Sequence, residues 1–296
     1  MDAPRHEPVM SVEVVSLLHP SRGGLFVDCT TGLGGHSALI LEGGADVLIG
    51  LDRDADALRI AGERLAAFGD RVELVHSDYR QLDAVLEARG IPGVDGLLAD
   101  LGVSSMQLEA EGRGFSFRRD EPLDMRMDRT QGPTAADLLM DVDEEDLANV
   151  IFQFGEERHS RRIARAIVHE CAQGRIATTG ALAAIVRRAV PTRGHQRIDP
   201  ATRTFQALRI WVNRELEGLD TFLTDASRRL LAGARLVVIT FHSLEDRIVK
   251  HTFRAIAAAS ETWQVLTRRP LVPGDEEVAR NPRARSAKLR AIERLA

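Results

Sequence analysis

The sequence predicts an α/β fold, in which a Rossmann-like sheet is interrupted by an inserted helical domain. Short apolar segments alternate with helical periodicity over the first hundred residues, a pattern typical of a parallel sheet covered on both faces. A glycine-rich turn follows the first of these segments. Strand character is weak between about residues 106 and 216 and then returns.

The N-terminal part contains four predicted buried strands, and an aspartate closes each of the last three. The strands and their aspartates are Leu25–Cys29, Val47–Leu51 with Asp52, Val72–His76 with Asp78, and Val94–Ala99 with Asp100. Helices are predicted from Ser37 and through Leu58 to Leu65, because apolar residues recur there at helical spacing.

The predicted domains are a discontinuous one, residues 1–105 with 217–296, and an inserted helical one, residues 106–216. Thr134 and Asp143 are predicted helix N-caps, and longer helices are expected around residues 160–173, 179–190 and 202–217. A helix and turn over Leu230–Ala234 should precede a strand at Arg235–Thr240. A closing hairpin is expected from Trp263–Leu266 and Ala287–Ile292. We expect the helical domain to recognise the substrate.

Composition excludes several classes of protein. Hydrophobic residues make up 44% of the chain and charged residues 28%, which is ordinary for a soluble globular protein. No segment approaches the roughly 20 apolar residues that span a bilayer, and the N-terminus lacks the apolar core of a signal peptide. We therefore expect a cytoplasmic protein with no membrane partner. Cys29 and Cys171 are too isolated for a metal cluster, and we predict two buried, reduced thiols and no metal.

Charge is distributed unevenly along the chain. Residues 1–150 carry 13 Lys and Arg against 29 Asp and Glu, whereas residues 151–296 carry 26 against 15. A polyanion would prefer the second half. Charge alone is equally consistent with arginine-rich helices that only present solvated faces.

The glycine-rich turn, Thr31–His36, is the first candidate ligand site. Ligands of open α/β sheets lie at the carboxyl ends of the strands, where glycines let the backbone approach the ligand and a helix N-terminus offers N–H groups. Asp52 is placed to accept both hydroxyls of a ribose. These features leave NAD and S-adenosylmethionine open, although a dinucleotide fingerprint would have Gly or Ala in place of Ser37.

Two further strand ends would ring the same crevice. Tyr79, next to Asp78, can stack on an adenine ring or pack as an ordinary half-buried residue. The loop Asp100–Ser105 is the candidate chemical loop, because methyl transfer to a base amine needs an acceptor for an N–H and otherwise depends on positioning. We assign Asp100 the catalytic role. We assign His36 a cofactor contact because of its position. We assign a catalytic role to neither His36 nor His242, since a lone histidine is more often a cap or a hydrogen-bonding residue.

Eight segments together resemble one family. They are His6–Met10, Asp28–Ser37, Asp100–Ser105, Gly114–Phe117, Pro122–Asp128, Thr202–Ile210, Phe241–Arg247 and Asn281–Arg290. The chain is similar to the ribosomal RNA small subunit methyltransferase H family, also called RsmH or MraW, in order from residue 6 to residue 294.

The resemblance implies an S-adenosylmethionine-dependent methyltransferase with a helical domain inserted in its Rossmann-like sheet. It also implies methylation of the exocyclic 4-amino group of a cytidine in the decoding region of 16S ribosomal RNA, within the small subunit; a homodimer is left open. Carried over residue by residue, the family's cofactor contacts fall on Gly34, Gly35, His36, Asp52, Tyr79, Asp100 and Gln107.

Some interpretations stay open. The alternatives are a methyltransferase of small molecules or proteins, and a non-catalytic ribosome-binding module of the same fold. Arg203, Arg209 and Arg214, with Phe205 and Trp211, suit phosphate contact and base stacking, yet the same aromatic residues suit the core face of a helix. A second basic candidate runs from Arg268 through Arg283 and Arg285 to Lys288, and residues 112–117 are a candidate mobile loop over the crevice.

Overall fold

The computed structural model describes residues 7–104, 107–108, 110–190 and 199–295. The chain divides into two compact units. One comprises Met1–Gly102 with Leu216–Ala296, and the other comprises Val103–Glu215. Within the described residues, no helix has both the length and the apolar character needed to cross a membrane.

The first unit is built on one seven-stranded sheet with the order β3-β2-β1-β4-β5-β7-β6. Its strands are β1 Leu25–Asp28, β2 Val47–Asp52, β3 Val72–His76, β4 Val94–Asp100, β5 Leu230–Thr240, β6 Trp263–Val265 and β7 Lys288–Arg294. Strands β1 to β5 are parallel, and β7 is antiparallel to β5 and to β6. The predicted Rossmann-like sheet is confirmed.

The strand order reverses between β1 and β4, which lie side by side although they are not consecutive in the chain. From β1 the chain moves outward to β2 and β3, and it then returns to the other side of β1. In open α/β sheets such a switch point leaves a crevice outside the carboxyl ends of the strands, where ligands bind. The topology therefore places a candidate site beside Asp28 and Asp100, the last residues of these two strands.

Helices cover both faces of this sheet, as its near-continuous apolar strands require. Phe26 and Val27 of β1, both at most 1% exposed, belong to opposite core clusters. The helices of the first unit are α1 Ser11–Leu18, α2 Gly35–Glu42, α3 Ala55–Leu65, α4 Leu82–Glu87, α10 Leu219–Arg228, α11 Ser243–Ala259 and α12 Asp275–Arg280. Helices α1, α2 and α3 pack on one face, and α4, α10 and α11 on the other.

The start of β5 differs from the sequence prediction. We predicted a helix and turn over Leu230–Ala234, but β5 already begins at Leu230, which pairs with Val94. The pairing then shifts register, so that Gly96 faces Arg235, and Gly233 within the extra residues has a left-handed φ of 75°. The apolar segment is thus an irregular strand, because its first residue pairs with β4 and the regular pairing resumes at Arg235.

The predicted closing hairpin is present, since β6 and β7 pair antiparallel. The sequence did not indicate that β7 would also pair with β5 and so lie inside the sheet. The two cysteines are free and buried, as predicted.

The second unit is helical in its described residues. Its helices are α5 Ala135–Asp141, α6 Glu144–Gly155, α7 Ser160–Cys171, α8 Thr179–Ala189 and α9 Ala201–Asn213. Thr134 and Asp143 cap α5 and α6 as predicted, and Thr134 forms a capping box with Asp137. Helix α9 ends at Asn213 rather than at residue 217, because Arg214 adopts a left-handed φ of 52°.

The segment predicted as a mobile loop instead belongs to the core of the helical unit. Phe115 is 7% exposed, and Phe117 packs edge-on against Phe205 with ring centroids 4.8 Å apart. The buried guanidinium of Arg113 donates hydrogen bonds to the carbonyl oxygens of Arg126 and Met127. The mobile-loop interpretation is therefore wrong for the described conformation.

Candidate active site

The glycine-rich turn is held in place by the end of the neighbouring strand. Oδ2 of Asp52 accepts a hydrogen bond from the backbone N–H of Gly32 at 2.7 Å, and Oδ1 accepts one from Asp54 at 2.8 Å. Gly32 and Gly34 have φ values of 51° and 76°, a conformation that glycine adopts at no steric cost. Asp52 therefore shapes the turn in addition to presenting a carboxylate beside it.

Helix α2 begins directly after this turn, with Gly34 as its N-cap and no side-chain cap in the described structure. The first N–H groups of an α-helix have no partner within the helix, so those of α2 are available to a polar ligand. Gly35 and His36 are the first two residues of this helix. A Cβ on Gly35 would lie 3.2 Å from Cγ of Pro8, which shows how closely the chain packs around the turn.

His36 and Asp100 face each other across the switch point. Nε2 of His36 lies 3.6 Å from Oδ2 of Asp100, and the histidine is only 6% exposed. Both ring nitrogens of His36 and Oδ1 of Asp100 are buried without a hydrogen-bond partner in the described structure. Buried polar atoms are rarely left unsatisfied. These atoms therefore fit a polar ligand that lies between the two strand ends and supplies the missing hydrogen bonds.

The sequence analysis did not select Asp28 as a site residue. It is fully buried at the end of β1, where Oδ2 accepts a 2.7 Å hydrogen bond from the hydroxyl of Ser37 and Oδ1 accepts one from the N–H of Thr30. Burial raises the pKa of the Asp28 carboxyl, and the bond from Ser37 opposes that rise. The sequence feature that points to Asp28 is Ser37, which occupies a position where a dinucleotide fingerprint has Gly or Ala. A serine hydroxyl at that place needs a hydrogen-bond partner.

The electrostatics of Asp52 follow from its location at the strand end. Burial raises the pKa of its carboxyl to about 6, although the hydrogen bonds that it accepts from two backbone N–H groups favour the charged form. At neutral pH the group is mainly a carboxylate. Its oxygens can accept further hydrogen bonds, as the binding of ribose hydroxyls requires.

Tyr79 is buried at the end of β3, and its ring packs against Phe222 with centroids 4.6 Å apart. Burial raises the pKa of its phenol well above the ordinary value, so the group stays neutral. The carboxylate of the adjacent Asp78 accepts hydrogen bonds from the guanidinium of Arg80 at 2.8 and 2.6 Å. Asp78 thus helps to fix the segment that carries Tyr79.

The remaining predicted residues lie elsewhere. Gln107 belongs to the helical unit, where its Oε1 accepts a hydrogen bond from the N–H of Ser104 at 2.9 Å; its cofactor contact stays a prediction. His242 is the N-cap of α11, and its Nδ1 accepts a hydrogen bond from the N–H of Glu245. His6 and Ser105, part of the segments that carry the family resemblance, lie outside the described residues.

The first basic segment proposed for RNA contact is largely occupied by internal contacts. Phe205 and Leu208 are at most 4% exposed and lie in the helical core. Arg209 forms a bidentate pair with the buried Glu215, at 2.8 and 2.7 Å. The interpretation of α9 as an amphipathic core helix is therefore the better one. In the second basic segment, Lys288 pairs with Asp246 at 3.4 Å.

Comparison with known proteins decides the family. A model of the MraW methylase family matches residues 3–295. The chain belongs to the MraW methylase family. The proteins named ribosomal RNA small subunit methyltransferase H from Sorangium cellulosum and Geobacter sulfurreducens are 51% and 50% identical to it. Each alignment covers 98% of this chain, with 91% of the first relative and 99% of the second.

A third relative of the same name, from Bradyrhizobium diazoefficiens, is 50% identical over 99% of this chain and 93% of its own length. Among solved structures, an rRNA methylase from Streptococcus thermophilus aligns with 97% of the chain and 94% of its own length, at 12% identity and a TM-score of 0.42. Membership in the MraW methylase family confirms the predicted family and the predicted methyl donor, S-adenosylmethionine.

Proposed function

We propose that the chain transfers a methyl group from S-adenosylmethionine to the exocyclic 4-amino group of a cytidine in the decoding region of 16S ribosomal RNA, within the small subunit. The observation that carries this proposal is the roughly half identity, over nearly the whole chain, with proteins named ribosomal RNA small subunit methyltransferase H. The helical unit is proposed to recognise the RNA.

For the donor, we assign the predicted cofactor contacts to Gly34, Gly35, His36, Asp52, Tyr79, Asp100 and Gln107. Asp52 would accept the ribose hydroxyls, and the glycine turn would let the backbone approach the donor closely. The unsatisfied nitrogens of His36 support a contact to the donor at this place. When bound, S-adenosylmethionine supplies an electrophilic methyl group on a sulfonium sulfur.

Asp100 is assigned the catalytic role. Its N–H donates to Oγ1 of Thr30 at 2.6 Å, which fixes the strand end, while Oδ1 of its carboxylate has no protein partner in the described structure. That oxygen can accept an N–H of the amine and so direct the nitrogen lone pair. Transfer would form a carbon–nitrogen bond as the carbon–sulfur bond breaks, with the neutral thioether of the donor as the leaving group and one amine proton passing to water. Most of the acceleration is expected from positioning.

The deciding experiment is incubation with methyl-labelled S-adenosylmethionine, with naked 16S rRNA and assembled small subunits as separate substrates. Nucleoside mass spectrometry should then find N4-methylated cytidine. Asp100→Asn should lower the rate by about 10²-fold or more, as the loss of one positioned catalytic hydrogen bond does in other enzymes, while donor affinity changes less.

Other outcomes would favour other functions. Label in protein or in small molecules, with none in RNA, would indicate a different methyltransferase. Ribosome binding by a chain that binds no donor in calorimetry would indicate a non-catalytic module.

A further inference from the structure

The exposed arginines of the helical unit fall into two groups. Most are paired with carboxylates of neighbouring helices, for example Arg175 with Asp137 at 2.9 Å and Arg188 with Glu170 at 2.7 Å. Such exposed pairs stabilise a fold by at most about 1 kcal/mol each, but they leave little net charge for a partner. Arginines outside this pattern therefore stand out.

Three arginines at the N-terminal end of α7, namely Arg158 in the turn before the helix and Arg161 and Arg162 in its first turn, are exposed and have no acidic partner in the described part of the chain. We call these three residues the arginine cluster. All three lie within five consecutive residues, so their charges are close together at this end of the helix. The opposite side of α7 carries Ile163 and Ile167, which are fully buried in the helical core.

This arrangement costs stability without any visible return within the fold. Positive charges in the first turn of a helix oppose the helix dipole, which favours negative charge there. Like charges this close along the chain also repel one another. The first turn of α7 contains no acidic residue, and its N-cap, His159, makes no side-chain capping bond. The carboxylate of the preceding Glu157 is directed to the N–H of His159 and to Arg203 instead.

An exposed aromatic ring lies at the same end of the α6–α7 hairpin as the cluster. Phe152, in the last turns of α6, is 60% exposed, whereas Phe205 of the same unit is 4% exposed. Helices α6 and α7 pack together and are joined by a short turn, so Phe152 and the arginine cluster lie at the same end of this helical hairpin. Arginines beside an exposed aromatic ring suit contact with phosphates and with an unpaired base.

We propose that the arginine cluster and Phe152 form a docking surface for the sugar–phosphate backbone of the substrate RNA, with Phe152 stacking on a base. This inference rests on the proposed function, since it names the surface of the helical unit that holds the RNA. The occupant is RNA because three unpaired positive charges match the regular negative charge of a phosphate backbone, and because the ring adds a base contact that an acidic peptide would not need.

The test compares RNA binding by the full chain and by matched variants, with a 16S rRNA transcript as the probe and KCl varied from about 0.05 to 0.3 M. The triple variant R158Q/R161Q/R162Q should reduce the slope of log affinity against log salt by about 2 and weaken binding at least about tenfold at 0.1 M KCl. The control R175Q/R187Q/R188Q removes the same charge from paired arginines and should change the slope by less than about 1.

Two further variants sharpen the result. R158K/R161K/R162K keeps the charges and should retain most of the salt slope. Phe152→Ala should weaken binding several-fold while leaving the slope unchanged, because stacking releases no counterions. Donor affinity and thermal unfolding, measured on every variant, show whether each remains folded.

The outcomes separate the two proposals. If the wild-type chain methylates the rRNA but the cluster variant keeps its affinity and slope, the docking surface is refuted and the proposed function stands. If the cluster variant and the control lose RNA affinity and salt slope equally, the losses reflect the overall charge of the chain, and the docking surface is again refuted. If the wild-type chain neither binds nor methylates the rRNA, the proposed function itself fails.

Discussion

The hydroxyl of Ser37 donates a 2.7 Å hydrogen bond to Oδ2 of Asp28, and neither side chain is exposed to solvent. The bond ties the first turn of α2 to the end of β1, directly beneath the glycine turn. A carboxylate buried this deeply depends on its few donors. Ser37, which departs from a dinucleotide fingerprint, therefore helps to hold the candidate site in place.

Replacing Ser37 with alanine should destabilise the chain. The Asp28 carboxylate would lose a side-chain donor in a buried place, which costs about 1–3 kcal/mol. Denaturant unfolding at pH 7 measures this change in the free energy of unfolding.

The control is the double variant Ser37→Ala with Asp28→Asn. Because the charge that needs the donor is then gone, the two effects should couple rather than add. Strict additivity would show that the bond contributes nothing.

The affinity for S-adenosylmethionine should depend on the protonation of Asp52. Its pKa is raised to about 6, so lowering the pH through 6 protonates a group that we propose accepts ribose hydroxyls. Well below pH 6, affinity should fall about tenfold for each pH unit, as measured by calorimetry between pH 5 and 8. Asp52→Asn should bind weakly and with a much flatter pH profile in this range.

Folding stability should respond to the same group in the opposite direction. A carboxyl whose folded-state pKa lies above its unfolded value of about 3.9 favours the protonated folded state. The contribution of Asp52 to unfolding free energy should therefore increase by up to about 3 kcal/mol as the pH falls from above 6 to below 4. The free energy of unfolding is measured against pH for wild type and for Asp52→Asn, and the difference between the two slopes isolates this contribution. Parallel curves would contradict it.

The two left-handed glycines of the turn should differ in their tolerance of alanine. A Cβ on Gly34 would lie 3.2 Å from Cγ of Leu65 and 3.4 Å from Cβ of Ala61, whereas a Cβ on Gly32 would have only the carbonyl oxygen of Thr30 nearby, at 3.9 Å. Both substitutions carry a backbone cost of about 1–2 kcal/mol. Gly34→Ala should add a packing penalty and reduce donor affinity further.

Thermal unfolding and donor calorimetry on both alanine variants test this difference. Equal losses would mean that backbone strain alone decides the effect and that the close packing on α3 is unimportant.

Asn213 should be essential to the stability of the helical unit. Its amide donates to the carbonyl oxygens of Met125 and Arg209 at 2.7 and 2.9 Å, and its Oδ1 accepts from the N–H of Met127 at 2.7 Å. Met125 is fully buried at a left-handed φ of 64°, so the amide stabilises a backbone that methionine rarely adopts.

Asn213→Ala should lower the free energy of unfolding of this unit by about 2–4 kcal/mol, since several buried polar groups lose their partner. The matched control is Gln206→Ala, which removes one bond of 3.0 Å to the carbonyl oxygen of Phe154 and should cost about 1 kcal/mol. Similar losses in the two variants would contradict the assigned role.

The sequence was sufficient to predict the parallel core of the sheet and the aspartates that end two of its strands. Buried parallel strands are continuous apolar segments, and those before Asp52 and Asp100 end at the residues that the structure places at the strand ends. Local patterns were insufficient where pairing across the sheet decides the conformation. Leu230–Ala234 has an apolar composition that suits a helix, but β5 already begins at Leu230, which pairs with Val94 of β4.

Asp28 and Phe115 illustrate a second limit. Ser37 shows in the sequence that a hydroxyl needs a partner, but not which residue it is, because only the turn brings Asp28, nine residues earlier, near it. The glycines around Phe115 suggested mobility, whereas a Cβ on Gly114 would lie 2.5 Å from the carbonyl oxygen of Pro122. That glycine permits close packing of two backbone segments.

The position of β7 has a consequence for biosynthesis. This strand is the last in the sequence, yet it separates β5 from β6 in the sheet, so β6 has no place to attach until β7 has been translated. The helical unit, in contrast, is one continuous stretch of chain. Because domains fold as units while the chain emerges from the ribosome, the helical unit can form while half of the sheet is still unmade. Premature termination shortly before residue 288 would leave β5 with an open edge, a site for aggregation, and only the translation of β7 covers that edge.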